Sequence, residues 1–102
     1  MTRADFALDP RLEAASRLVA DLPLSQLRLQ DDARWPWLVL VPRVAEAREL
    51  DDLSEADRAQ LLTEIGVAMR AVRAVGEGAG RPVEKLNVGA LGNVVSQLHV
   101  HV

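Results

Sequence analysis

The last six residues, Gln97-Leu98-His99-Val100-His101-Val102, alternate polar and aliphatic without a break, and this constrains the fold more than any other feature of the chain. Side chains along a strand point to opposite faces in turn, so Gln97, His99 and His101 share one face and Leu98, Val100 and Val102 the other. The segment therefore predicts a strand with an aliphatic underside and two imidazoles on its other face. Both histidines of the chain lie here. Imidazole titrates near pH ~6.5, so a neutral ring nitrogen is on hand as nucleophile, base or ligand.

Upstream, Leu24, Leu27 and Leu29 lead into Gln30-Asp31-Asp32, and Trp37-Leu38-Val39-Leu40-Val41 is an apolar run closed by Pro42. These read as two strands joined by a hairpin. Ser54-Glu55-Ala56-Asp57 resembles a capping box with Asp in the Glu position, and Leu61, Leu62, Ile65, Ala68, Met69 and Val72 follow at helical spacing, which predicts a helix over 54–75. Gly76, Gly78 and Gly80 are expected to end it, and the stretch from Gly76 to Pro82 to form a mobile loop. Lys85 to Ala90 and Gln97 to Val102 read as two further strands around a turn containing Gly92 and Asn93. From Leu8 to Leu22 the pattern is mixed: Pro10 suits the start of a helical turn, and Leu12, Leu18 and Val19 are the expected inward residues. Strands on either side of one strong helix imply an α+β fold with a mainly antiparallel sheet. Residues 1–102 are read as a single domain, because too few follow the glycine loop to build a second core.

Composition narrows the partners. The chain is 49% hydrophobic and 26% charged, a globular balance. Its net charge of −3 comes from 12 basic and 15 acidic residues scattered along it, so no basic stripe awaits a nucleic-acid polymer. The absence of cysteine excludes disulfides, thiolate metal sites and a cysteine nucleophile. Met1 to Pro10 holds two acids and no apolar block of signal-peptide length, and no apolar stretch approaches the ~20 residues of a membrane span. A cytoplasmic protein without a membrane partner is the expectation.

Taken alone, a His-x-His strand has three readings. The two rings sit idle in solvent, they bind zinc, or they do chemistry. Zinc needs a third and a fourth ligand, which here must come from Asp, Glu or water, and the nearest acids are many residues away, so no metal or cofactor is expected. Phosphoryl transfer suits the pair: a phosphoimidazole forms and breaks readily, and donors such as the Gln97 amide and the His101 ring can hold equatorial oxygens without a metal. Trp35 and Trp37 fall on one strand face and read as core or dimer-interface residues.

Asn87-Val88-Gly89, then Gly92, then Gln97-Leu98-His99-Val100-His101-Val102 is similar to the signature of the histidine triad (HIT) family, His-φ-His-φ-His-φ-φ with φ hydrophobic. Trp37 to Arg43 resembles that family's apolar strand ending in Pro and a basic residue, and the helix follows where the family has one, so the resemblance covers roughly residues 24–102. Three positions depart from the family: Gln97 stands for the first histidine, Val94 for a Ser or Thr before the triad, and Trp37 for a histidine opening the apolar strand. The resemblance implies that His99 attacks the α-phosphorus of a nucleotide derivative to form a covalent nucleotidyl intermediate, with His101 in the position that contacts phosphate oxygens and Gln97 in that of the first histidine. It implies ribose contacts at Asp31 or Asp32, for which a plain hairpin turn is the alternative, and further nucleotide contacts at Asn87 and Asn93. Family members run on past the position of Val102, so a piece of the site is expected beyond it. The implied protein is a homodimeric hydrolase or nucleotidyl transferase of nucleoside phosphoramidates or dinucleoside polyphosphates. A nucleotide-binding module without turnover and a zinc-holding protein are the alternatives.

Overall fold

A computed structural model describes residues 5–34 and 36–102, so the expected placement of Trp35 lies outside the described residues. In chain order it comprises α1 (Pro10–Ala15), β1 (Ser16–Asp21), β2 (Ser25–Gln30), β3 (Leu38–Pro42), a 3-10 turn (Leu50–Asp52), α2 (Glu55–Gly78) and β4 (Val100–His101). The strands form one antiparallel sheet in the order β1-β2-β3-β4, with α2 packed over β3 and β2. This is the expected α+β class, and the expected hairpin is β2–β3.

β3 is central and buried along its whole length because aliphatic side chains serve both of its faces. Leu38 and Leu40 join Leu24, Leu27, Leu61, Ala68, Val72, Leu98, Val100 and Val102 beneath α2. Val39 and Val41 point the other way, into a second cluster with Leu12, Phe6, Leu8 and Trp37. That second cluster roofs the sheet with the N-terminal segment, on the face where His99 and His101 lie.

α1 starts as its Pro suggests: Asp9 is the N-cap, accepting from Arg11 N at 2.8 Å, and Pro10 needs no donor in the first turn. Its C-terminal end is tied to the sheet by Arg28, only 6% exposed. The Arg28 guanidinium donates to Ser16 Oγ at 2.8 Å, to the Ser16 carbonyl at 3.1 Å and to Gln26 Oε1 at 2.9 Å. Leu12 is buried as expected, but Leu18 and Val19 are 50% and 55% exposed. They belong to the edge strand β1, where adjacent residues cannot both face inward, and a register break between Leu18 and Ala20 takes Val19 out of the ladder.

α2 begins at the expected cap, the Ser54 hydroxyl accepting from Asp57 N at 3.1 Å. Leu61, Ala68 and Val72 are buried, whereas Leu62 is 70% exposed because it is rotated off the stripe that Leu61 begins. The helix also runs past its expected end. Gly76 is buried within it, the Arg81 N–H bonds back to the Gly76 carbonyl at 2.8 Å, and a Cβ at 76 would lie 2.8 Å from both the Arg81 carbonyl oxygen and Val83 Cγ2. Gly76 therefore permits close approach of the returning chain rather than ending the helix, which stops at Gly78 with Gly80 in the left-handed region at φ 69°.

The C-terminal strand is shorter than its alternation suggests. Val100 and His101 pair with β3, and reciprocal bonds between Leu38 and Val102 at 3.2 and 3.0 Å continue the contact, but the Leu98 N–H turns to the Ala47 carbonyl at 2.9 Å instead. Of the expected strand over Lys85 to Ala90, only Gly89 is bridged, to His101. Its N–H and carbonyl take His101 at 3.1 and 2.8 Å, so the backbone of the histidine strand is fixed from both sides.

Candidate functional site

Alternation does at the C-terminus what the residue types require. Leu98, Val100 and Val102 are at most 7% exposed and belong to the core under α2, which fixes the strand's rotation and turns Gln97, His99 and His101 to the other face. The two rings stand edge to face, centroids 4.9 Å apart at 79°.

His99 is 6% exposed, and its Nδ1 lies 2.6 Å from the Gln97 carbonyl oxygen. A carbonyl only accepts, so the ring donates from Nδ1 and the lone pair of the neutral ring is on Nε2. His101 is half-buried and is met at Nδ1 by the indole N–H of Trp37 at 2.9 Å, with ring centroids 5.3 Å apart. Burial, and then the charge of His99, push the His101 imidazole below the usual histidine range.

Gln97 is used at both ends of its amide. Its Oε1 accepts from Asp9 N and its Nε2 donates to the Ala7 carbonyl, each at 2.8 Å, strapping the N-terminal segment across the histidine face. Arg11 adds a bond to the Val94 carbonyl at 3.1 Å and an ion pair to Asp9 at 3.0 Å. Hydrogen bonds from Arg11, chiefly, and the charge of His99 hold the Asp9 carboxyl below its usual range. Nothing in the sequence pattern marks Asp9 as part of the site. Its cap signal is readable from Pro10, but its place beside a strand 88 residues away is not.

A cleft of about 760 Å³ opens beside His101, lined by Trp37, Val72, Lys85, Leu86, Asn87 and Gly89 among others. Asn87 is thus brought to His101, whereas Asn93 is exposed and outside the cleft lining. Asp31 and Asp32 sit on the turn after β2, also outside that lining. Asp31 is exposed, and its N–H bonds to the Ala15 carbonyl at 2.9 Å. Asp32 holds Arg34 through both carboxylate oxygens, the closest contact at 2.7 Å, and those hydrogen bonds lower its carboxyl to about 2. Among the described residues no three His, Asp or Glu side chains converge as a set of metal ligands, and no helix is long and apolar enough to cross a membrane.

An antiparallel sheet backed by one long helix, with paired histidines on its last strand, defines the histidine triad type of domain. The HIT domain family model matches residues 11–102, and the chain belongs to the HIT family. It is similar to a histidine triad protein of Bradyrhizobium japonicum at 44% identity and TM-score 0.87, over 95% of this chain and 69% of that one. A HIT protein of Sinorhizobium meliloti is 42% identical at TM-score 0.84, over 98% and 70% of the two chains. One of Marinobacter aquaeolei is 38% identical at TM-score 0.81, over 94% and 66%. No curated protein matches the chain.

Proposed function

We propose that the protein binds nucleotides and acts as a hydrolase or nucleotidyl transferase on nucleoside phosphoramidates, dinucleoside polyphosphates or similar phosphate-linked nucleotides. The observation that carries this reading is the 2.6 Å bond from His99 Nδ1 to the Gln97 carbonyl, which leaves an Nε2 lone pair on a ring held in place beside a second imidazole. In the first step Nε2 of His99 attacks the α-phosphorus; a P–N bond forms, and the leaving group departs with its bonding pair and takes a proton from solvent. Water then attacks the same phosphorus, the P–N bond returns its electrons to Nε2, the water's proton passes to solvent, and a nucleoside monophosphate leaves. An alcohol in place of water makes the second step a transfer.

His101 and the remaining N–H of the Gln97 amide are the donors for the equatorial oxygens, the other amide hydrogen being given to Ala7. Asn87, which lines the cleft, is the contact proposed there for the substrate. Asn93 is the contact proposed for the rest of the nucleotide, and Asp31 or Asp32 that for its ribose hydroxyls. No metal or cofactor enters the scheme. The working form is taken to be a cytoplasmic homodimer.

The test is intact mass measurement at neutral pH, since phosphohistidine is acid-labile, after mixing with adenosine or guanosine phosphoramidates. His99→Ala abolishes the covalent adduct and retains nucleotide binding. His101→Ala slows turnover by about 10²–10³, as for loss of one oxyanion donor, yet still forms the adduct. An adduct that persists in His99→Ala and vanishes in His101→Ala reverses the assignment. Nucleotide binding with neither adduct nor turnover in the parent chain makes the protein a binding module.

A further inference from the structure

The indole N–H of Trp37, 2.9 Å from His101 Nδ1, can donate and can never accept. His101 Nδ1 must therefore offer a lone pair, and a neutral ring with that lone pair carries its proton on Nε2. Protonating Nδ1 as well would set two N–H groups head to head. His99 is held the opposite way, its Nδ1–H spent on the Gln97 carbonyl and its Nε2 bare. Two chemically identical side chains, 4.9 Å apart on one strand face, are thus made different by one donor and one acceptor.

We propose that Trp37 is a positioning residue that locks His101 as the neutral Nε2–H tautomer, making His101 the fixed hydrogen-bond donor of the site and leaving His99 as its only free imidazole lone pair. The part of this that concerns attack on phosphorus rests on the function proposed above; the part that concerns protons does not. The surroundings of His101 agree from every side. The residues leading into its own strand contribute His99, the segment after α2 contributes Lys85, α2 contributes only Val72, and the residue before β3 is Trp37 itself. No Asp or Glu side chain lines this cleft among the described residues to welcome an imidazolium. A histidine at position 37 could serve as donor or acceptor by changing its own tautomer, and so would leave His101 free to change too. An indole removes that freedom.

The experiment is long-range nitrogen–proton NMR of the full chain labelled with ¹⁵N in histidine, where two residues make a readable spectrum and His99→Asn assigns them. The expected wild-type result is His101 with an unprotonated Nδ1 and a protonated Nε2 throughout the neutral range, and the neutral form of His99 with the proton on Nδ1 and Nε2 bare. Trp37→Phe, which keeps the ring and deletes the donor, is expected to move His101 to exchanging tautomers, shift its titration midpoint upward, and lower kcat while KM holds. Wild-type His101 with a protonated Nδ1 or averaged tautomers overturns the proposal without any variant, so a Trp37→Phe chain that fails to fold does not protect it. A Trp37→Phe spectrum unchanged at His101 also overturns it, reducing Trp37 to packing. The expected tautomers without any nucleotidyl adduct support the lock and overturn the enzymatic reading alone.

Discussion

Glu64 is 1% exposed and its carboxylate is held by backbone: Oε2 accepts from Leu24 N at 2.8 Å and Oε1 from Ser25 N at 2.9 Å, with Gln60 Nε2 also donating to Oε2 at 2.8 Å. It joins α2 to the start of β2. Glu64→Ala leaves two buried N–H donors unanswered at about 1–3 kcal/mol each, so a loss of about 3 kcal/mol is expected in urea unfolding, with Glu64→Gln costing less because one acceptor survives. His101 sets a different residue-scale expectation. Its folded pKa lies below the ordinary 6.5, so between the two values the unfolded chain binds more protons. Its contribution is therefore fully present above about pH 6.5 and is lost as pH falls from there through the folded value. Stability of the parent minus that of His101→Asn, measured by urea titration across pH, should decline in that window. The lowered carboxyls of Asp9, Asp32 and Asp52 act only further down, from 3.8.

At the scale of elements, the two glycines near the end of α2 look alike in sequence and are opposite in structure. A Cβ on Gly76 meets a backbone carbonyl oxygen at 2.8 Å, whereas one on Gly78 meets nothing within 4 Å. Gly76→Ala is expected to destabilise by about 1–3 kcal/mol, since backbone cannot yield as a side chain can. Gly78→Ala is expected to be neutral or to stabilise by up to about 1 kcal/mol through helix propensity. Thermal unfolding of the two single variants checks the pair, and equal effects would mean that the segment around Val83 does not press on the helix. β1 shows the converse of the well-marked α2 cap: Ser16-Arg17-Leu18-Val19-Ala20-Asp21 carries no clean alternation because its register breaks, and pairing with β2 alone makes it a strand.

The whole molecule leaves apolar side chains in solvent: Leu62 is 70% exposed, Leu91 75%, Val94 81% and Val75 55%. A chain of 102 residues buries a smaller share of its surface than a larger domain, and self-association is the common way to cover what is left. A homodimer is expected in sedimentation velocity at micromolar concentration, and Leu62→Glu is a probe of whether the exposed face of α2 takes part. Monomer alone in the parent chain would remove dimerisation from the reading. Elemental analysis of untagged protein is expected to find no stoichiometric zinc, because two imidazoles leave a tetrahedral site half made. Zinc that survives dialysis against chelator would instead favour the metal-holding alternative.

Local pattern by itself determined the α+β class, the β2–β3 hairpin, the Ser54 cap and the division of the last six residues into a core face and a histidine face. These follow from periods of two and 3.6 residues and from caps, which neighbours in sequence enforce. Tertiary structure decided what depends on meetings between distant segments: the course of α2 through Gly76, the burial of Glu64 at Leu24 and Ser25, and the strap from Gln97 to Ala7 and Asp9. It also distinguished His99 from His101. Nothing along one strand separates two imidazoles two residues apart, because their local environments repeat; a carbonyl beside one and an indole from 64 residues away beside the other assign their protons.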